Sequence, residues 1–426
     1  MKQIEDNITI YPKNNIFGEV TAPASKSYAQ RAIAIAALAE GISQITNLTL
    51  CNDTISALNV IETMGAKVTL KDDIYEIEGG ISPKEDMTLN IGEAGLSARL
   101  FTPIASLFEC ETTITGNGSI LSRPLGKVEE PLHQLGAEAH SNNGMLPIKI
   151  KGPIGGGKTL IDGSLGSQFL TGLLISMPLA KGDTTIEVEE LRSIPYIDMT
   201  IETMRHFGVE IDNENYKKFE IKGRQTYSPA KYNIEGDWSG ASCLLVAGAI
   251  AGDTKKGVRI NNLNINSLQA DLEIFKALKY AGVRVEFDEN SLTTFCSETH
   301  GFTFDATHCP DLFPALVALA ATAQGESVII GTNRLIHKES NRAIVLCEVY
   351  KKMGIEIDIS QDDIMKIKGG AIKGGMMIDS HNDHRIAMSI AAAALKADAP
   401  ITITSSKAVE KSYGDFFDDM RKLKNE

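Results

Sequence analysis

Lys26, Ser27 and Arg31 stand in the stretch Pro-Ala-Ser-Lys-Ser-Tyr-Ala-Gln-Arg at residues 23–31, directly ahead of an Ala/Ile/Leu run at 32–40. The run predicts a buried helix. Gly41 predicts its end, because glycine takes the left-handed C-cap conformation without a steric penalty. Lys26 and Ser27 are then at the helix N-terminus, and Arg31, four residues after Ser27, lies one turn on along the same face. Exposed N–H groups, the positive end of a helix dipole, a lysine, a hydroxyl and an arginine together suit a bound anion. An ordinary capped surface helix would show the same residues, so the stretch alone does not decide.

Four other clusters carry side chains capable of chemistry. Arg334-Leu-Ile-His-Lys338-Glu339-Ser-Asn-Arg342 lies between an apolar strand at 327–330 and an apolar helix at 343–349. With Glu339 near the first turn of that helix, Lys338 and Arg342 share a face at i, i+4 spacing. A solvated charged face is the plainer reading, but such strand-to-helix connections are where ligand groups collect. His381-Asn-Asp-His384-Arg385 opens another apolar helix. Its His-x-x-His beside a carboxylate suggests a metal. The adjoining arginine favours instead an N-capping Asp383 and an Arg385 aimed at an anion. Gly92-Glu-Ala-Gly95-Leu-Ser-Ala-Arg99 opens a third helix, and Arg123 follows in Leu-Ser-Arg-Pro. Gly152-Pro-Ile-Gly-Gly-Gly-Lys158-Thr159 fits the P-loop pattern letter for letter. A P-loop needs a helix after its lysine to cradle phosphate, whereas Thr-Leu-Ile-Asp-Gly follows here and reads as a short strand. The expectation is a glycine-rich hairpin.

The elements that must position these residues recur. Polar or glycine-rich helix openings fall at Ser27, Ser97, Ser167, Ser239, Asp311 and Asp383, at intervals of 70, 70, 72, 72 and 72 residues. A second series keeps step: Gly65, Gly136, Gly208, Gly282 and Gly354 each end an apolar segment and precede a short strand-like run, at intervals of 71, 72, 74 and 72. A fixed period dictates architecture, and this one is too long for a solenoid repeat. Six units of two helices and several strands follow. Residues 7–20 alternate like a strand and carry no helix. The last unit closes with a helix at about 413–424 and has no strand after it. The N-terminal strand therefore completes the last unit, which puts both termini in one domain. The expected division is 1–21 with 236–426 against 22–235, three units each.

A net charge of −13 argues against nucleic acid or an anionic membrane as partner, and makes any anion site a local cationic cluster. Six scattered cysteines without a Cys-x-x-Cys pair fit a reduced, cytoplasmic protein. The N-terminus lacks a signal-peptide apolar core, and no apolar run reaches membrane-spanning length.

The chain resembles, end to end, the 5-enolpyruvylshikimate-3-phosphate synthase family. The matching residues are Ala-Ser-Lys26-Ser27 with Arg31, Ala-Gly95 through Arg99, Arg123-Pro, Asp162-Gly-Ser-Leu-Gly-Ser167-Gln168-Phe, Ser193-x-Pro-Tyr196-Ile-Asp and Glu235-Gly-Asp-x-Ser. Further on come Pro-Asp311, Lys338-Glu339-Ser-x-Arg342, Asn-Asp-His-Arg385 and Lys411 before Tyr-Gly-Asp-Phe-Phe. The resemblance implies an α/β (α+β) fold of two domains, each of three βαβαββ units, with the active site in the cleft between them. It implies transfer of the enolpyruvyl group of phosphoenolpyruvate to the 5-hydroxyl of shikimate 3-phosphate, with release of phosphate, through a tetrahedral ketal phosphate. No cofactor and no metal are implied, and a monomer is expected.

By motif, Lys26, Ser27, Arg31, Ser167, Gln168, Ser193 and Tyr196, with Asp311 and Lys338, would hold shikimate 3-phosphate. Lys26, Gly95, Arg123, Gln168, Arg342, Arg385 and Lys411 would hold phosphoenolpyruvate. Asp311, Glu339 and Lys26 would serve catalysis, since one group must take the hydroxyl proton while another protonates the methylene carbon. Three departures stand out: Glu93 and Leu96 flank Gly95 where the family often has Asn and Thr, Arg334 replaces a frequent Asn, and Gly414 a usual Pro. The sister family, UDP-N-acetylglucosamine enolpyruvyl transferase, typically carries a cysteine in the loop before the Arg-Pro pair, and segment 116–123 has none. A P-loop protein is the remaining rival and rests on residues 152–159 alone.

Overall fold

The computed structural model of the chain describes residues 6–425. It divides into two compact units. One joins the chain up to Pro23 to the chain from Gly236 onward; the other is Ala24–Glu235.

Within Ala24–Glu235 one arrangement occurs three times. A buried helix leads to a strand, a second helix and a β-hairpin. The first copy comprises helix Lys26–Leu38, strand Ile42–Thr46, helix Asn52–Thr63 and strands Lys67–Lys71 and Ile74–Glu78. The second and third begin with helices Gly95–Ala105 and Gln168–Ser176. In each sheet the strand after the leading helix is central. It pairs parallel to one neighbour and antiparallel to the second strand of the hairpin. The parallel neighbour of Ile42–Thr46 is Lys231–Asn233, from the far end of the same unit.

The other unit repeats the scheme with leading helices Trp238–Ala251, Phe313–Thr322 and His384–Ala394. Here the parallel neighbour of strand Val258–Asn261 is Ile16–Thr21. The sixth sheet is Met376–Asp379, Ile401–Thr404 and Asn7–Ile10, with Asn7–Ile10 antiparallel at the place the hairpin strand holds in the other five.

Three expectations are corrected. Residues 7–20 form two strands: Asn7–Ile10 completes the sixth sheet, and Ile16–Thr21 joins the fourth. Asn15, with φ +54°, turns the chain between them, as asparagine tolerates the left-handed region. The chain end does supply a strand. After helix Phe416–Lys422, Lys424–Asn425 pairs antiparallel to Ile16–Phe17 and covers what would be an open sheet edge. Helix Lys26–Leu38 stops at an extended Ala39, whose N–H bonds the Ile35 carbonyl. Gly41, at φ +120°, instead turns the chain into the next strand, where a Cβ would strike the Pro229 ring at 2.8 Å.

The leading helices have no polar face. Every residue of Gly95–Ala105, Trp238–Ala251 and His384–Ala394 is buried, the pattern of helices surrounded by protein on all sides. The polar side chains within such helices, Arg31, Arg99 and Ser389 among them, are buried and make their hydrogen bonds to protein. Among the described residues no helix is long and apolar enough to cross a membrane.

The P-loop-like segment runs into strand Gly157–Asp162, on which Lys158 is exposed, and the next helix begins only at Gln168. Calorimetric titration with ATP should therefore give no binding heat. Lys158→Ala should change unfolding free energy by less than about 0.5 kcal/mol. ATP binding that disappears in Lys158→Ala would restore the nucleotide reading.

Candidate active site

In the unit Ala24–Glu235, Ser25 caps the first helix, its Oγ accepting the Tyr28 N–H at 3.5 Å, so Lys26 and Ser27 occupy the first turn. The Lys26 ammonium lies 2.9 Å from the Asp53 carboxylate, in the first turn of helix Asn52–Thr63; their side chains are 17% and 10% exposed. Arg31 sits deeper than its spacing suggested, at 1% exposure. Its Nε donates to Thr200 Oγ1 at 2.9 Å, one terminal nitrogen to the Ser27 carbonyl at 2.8 Å, and the other to Thr171 Oγ1 at 3.3 Å and the Tyr196 carbonyl at 3.0 Å. Burial pushes the guanidinium down to about 10. Arg31 is thus largely engaged by protein: it fixes the backbone at Ser27 and Tyr196.

Gly95 opens its helix against the Arg123 side chain. A Cβ on Gly95 would stand 2.8 Å from an Arg123 terminal nitrogen and 3.1 Å from the guanidinium carbon. A side chain at this position would push the guanidinium aside, through close approach and with no positive φ involved. Glu93, an unexpected carboxylate beside a predicted anion site, is turned away. It accepts the backbone N–H and the hydroxyl of Ser119, both at 3.0 Å, at the start of the turn Gly118–Ser122. Arg99 donates to the Gly95 carbonyl at 2.9 Å and to Gln168 Oε1 at 3.1 Å, so it orients both. Ser167 precedes helix Gln168–Ser176 and is buried, while Gln168 is half-buried. Ser193 is buried at φ +59°, a left-handed conformation that costs a non-glycine residue of order 1 kcal/mol and clusters at functional sites.

Lys26, Ser27, Arg31 and Tyr196 are therefore brought together in this unit, as are Gly95 with Arg123 and, through Arg99, Gly95 with Gln168. Ser97 Oγ donates to Gln30 Oε1 at 2.8 Å and ties the first two leading helices near their N-termini.

In the unit that holds both termini, Arg342 is fully buried among three carboxylates. It lies 2.8 Å from Asp311 Oδ1, 2.6 Å from Glu339 Oε2 and 2.8 Å from Asp383 Oδ2. Lys338 Nζ reaches the same Asp311 oxygen at 3.1 Å. The expected helical i, i+4 face is corrected. Asn341 caps the helix, its Oδ1 accepting the Ile344 N–H, so the helix starts at Arg342 and Lys338 and Glu339 lie in the connection before it. Lys338 and Arg342 meet on Asp311 across the fold, not side by side on a helix. Asp383 is the N-cap of helix His384–Ala394, accepting the Arg385 N–H at 3.0 Å, and is also a partner of Arg342.

Arg385 donates to the Ser239 carbonyl at 3.0 Å; its buried Nε has no partner among the described residues. Lys411 Nζ donates to the Asn382 carbonyl at 2.8 Å. Asp311, Lys338, Glu339, Arg342 and Arg385 thus gather around the openings of three helices.

The charges are strongly interdependent. Burial favours a protonated Asp311, but Lys338, Arg385 and Arg342 outweigh it and hold the carboxyl well below the usual carboxylate range. Burial likewise opposes the Arg342 charge, and the Asp383, Glu339 and Asp311 carboxylates overcome it. Lys338 is shifted down, chiefly by burial, with Asp311 acting against the shift. Such a set can bind an anion at its cations and exchange protons at its carboxylates.

Sequence reasoning missed Asp53, the partner of Lys26, and the pairing of Asp383 with Arg342. Asp53 left only the weak signal of an acidic residue opening a second helix. The Arg342–Asp383 pair spans 41 residues and has no local signal. Among the described residues no group of three or more His, Cys, Asp or Glu side chains could hold a metal.

The profile of the family described as EPSP synthase (3-phosphoshikimate 1-carboxyvinyltransferase) matches residues 10–420. The chain is 37% identical over 432 residues to a protein of Clostridium novyi (strain NT) named 3-phosphoshikimate 1-carboxyvinyltransferase, covering 98% of this chain and 97% of that one. A protein of the same name from Methanocella arvoryzae is 38% identical over 419 residues, covering 96% and 97%. The fold is similar to that of the EPSP synthase of Acinetobacter baumannii, with a TM-score of 0.80, 27% identity and 97% coverage of both chains. The enolpyruvyl transferase NikO from Streptomyces tendae, at 17% identity and TM-score 0.76, shares the fold. The chain belongs to the EPSP synthase family.

Proposed function

We propose that this chain transfers the enolpyruvyl group of phosphoenolpyruvate to the 5-hydroxyl of shikimate 3-phosphate and releases phosphate, a step toward chorismate and the aromatic amino acids. The observation that carries the reading is the placement of two carboxylates, Asp311 and Glu339, on one buried guanidinium, in a unit that also presents Arg385 and Lys411. The reaction needs proton exchange next to a dianionic substrate, and this unit holds both kinds of group. The UDP-N-acetylglucosamine enolpyruvyl transferase alternative is not favoured, since the turn before Arg123 contains no cysteine.

In this reading the 5-hydroxyl oxygen bonds to C2 of phosphoenolpyruvate as C3 gains a proton, giving the ketal phosphate. Loss of a proton from C3 then expels phosphate and regenerates the double bond. Asp311 and Glu339 are the proposed proton carriers, with Lys26 at the reacting centre. The cations suit the anionic groups: Arg123, Arg342, Arg385 and Lys411 toward phosphoenolpyruvate, with the Gly95 backbone and Gln168; Lys26, Ser27, Ser167, Gln168, Ser193 and Tyr196, with Asp311 and Lys338, toward shikimate 3-phosphate. Arg31 acts mainly by fixing Ser27 and Tyr196. A monomeric state and a cytoplasmic location complete the reading.

The deciding assay is phosphate release. Release should require both substrates together; release from phosphoenolpyruvate alone, or none with both, would reject the assignment. Glu339→Gln should retain the fold and lower kcat by about 100-fold or more, the loss expected of an acid–base group. Asp311→Asn should lower kcat similarly and also lower the melting temperature, because Lys338 and Arg342 lose a counter-charge. A fully active Glu339→Gln enzyme would remove that residue from its role.

Gly95→Ala should push the Arg123 guanidinium aside and raise KM for phosphoenolpyruvate by about tenfold or more, one charge-assisted hydrogen bond's worth. KM for shikimate 3-phosphate should change much less. Equal changes in both constants would show that the methyl group acts on something other than Arg123.

A further inference from the structure

Among the described residues the sixth sheet ends at strand Asn7–Ile10, whereas each of the other five continues with one more strand beyond the equivalent position. Beside this last strand lies a cavity of about 220 Å³, bounded by Ile8, Ile10, Leu395, Phe417, Met420 and, at a polar point, Lys13. It shares none of its lining with the residues of the reaction site. Apolar cavities of roughly 150 Å³ lined by Leu, Ile and Phe stay dry and take up benzene, so this one has room for an aromatic ring with a short chain.

The polar part of the lining is selective. Lys13 is half-buried and has no hydrogen-bond or ion-pair partner for its ammonium among the described residues. Its backbone N–H is anchored to the Leu395 carbonyl at 3.0 Å. Arg421 also lines the cavity, but Asp418 occupies its guanidinium at 2.7 Å. The Thr9 and Thr402 hydroxyls share a hydrogen bond at 2.9 Å. An apolar chamber with one cation uncompensated among the described residues suits an apolar anion.

We propose that this cavity binds a small molecule with an aromatic or branched apolar body and a single carboxylate, which Lys13 meets. Leu395 is the C-cap of helix His384–Ala394, whose opposite end carries Asp383 and Arg385. An occupant therefore packs against the far end of a helix that serves the reaction site.

The probe is 3-phenylpropionate, titrated into the full chain while the Met420 and Ile8 methyl resonances are followed. The titration is repeated with saturating shikimate 3-phosphate and, separately, with saturating phosphoenolpyruvate, so that no turnover occurs and a carboxylate bound only at the reaction site is displaced. A saturable shift of both methyls is expected. 3-Phenylpropanol, with the same body and no charge, should bind about five- to tenfold more weakly, and Lys13→Gln should weaken 3-phenylpropionate by the same factor. Inorganic phosphate, with charge and no body, should shift neither methyl. Ile10→Phe, which fills the cavity from the strand side, should abolish the shift and leave turnover intact. Absence of a saturable shift, its loss in the presence of either substrate, or its persistence in both Lys13→Gln and Ile10→Phe would each overturn the proposal.

Discussion

The proposed reaction site depends on how a buried positive charge is tolerated. Arg342 has no access to solvent, and an uncompensated ion in such a place would cost several kcal/mol. Three carboxylates from separate parts of the chain surround it. Each is thereby fixed: Asp311 at the opening of one helix, Asp383 at the cap of another, Glu339 in the loop between strand and helix. The residues with a proposed chemical role are positioned by the electrostatic need of a neighbour that is itself a proposed ligand. The same attraction keeps Asp311 ionised against the pull of burial.

That cage exists because of the leading helices. They are buried on every side, so a charge placed within one, such as Arg31 or Arg99, must be met by protein groups, and the remaining charges stand at helix openings. Arg385 reaches from the start of one leading helix to the carbonyl of Ser239 at the start of another. In Ala24–Glu235, Arg31 does the same across three helices. Helix N-termini favour anions and arginines bridge carbonyls, so such openings suit an anion locally within a protein whose net charge is −13. Glu93, beside such a helix opening, directs its carboxylate to the hydrogen-bond donors of Ser119.

The sixfold period, the buried leading helices and the helix-opening positions of Lys26, Gly95, Gln168 and Arg385 were legible in the amino-acid order. They follow from local rules: apolar runs bury, caps and glycines punctuate, and repeats recur at a fixed interval. The polar residues that would do chemistry were legible for the same reason, since they interrupt apolar helices at their starts. What their side chains touch was not. Arg31 and Ser27 share a helix face by spacing, yet the guanidinium turns inward to Thr171, Thr200 and Tyr196, which lie 140, 169 and 165 residues away. Lys338 and Arg342 looked like neighbours on a helix and instead converge on Asp311. The strands Asn7–Ile10 and Ile16–Thr21 read as one, because alternation shows that a strand forms but not which sheet edge will accept it. Local sequence determined the elements and the residue types at their ends. Tertiary structure decided the partners, because hydrogen bonds and charge pairs across the fold depend on distances that only the packed helices and paired strands define.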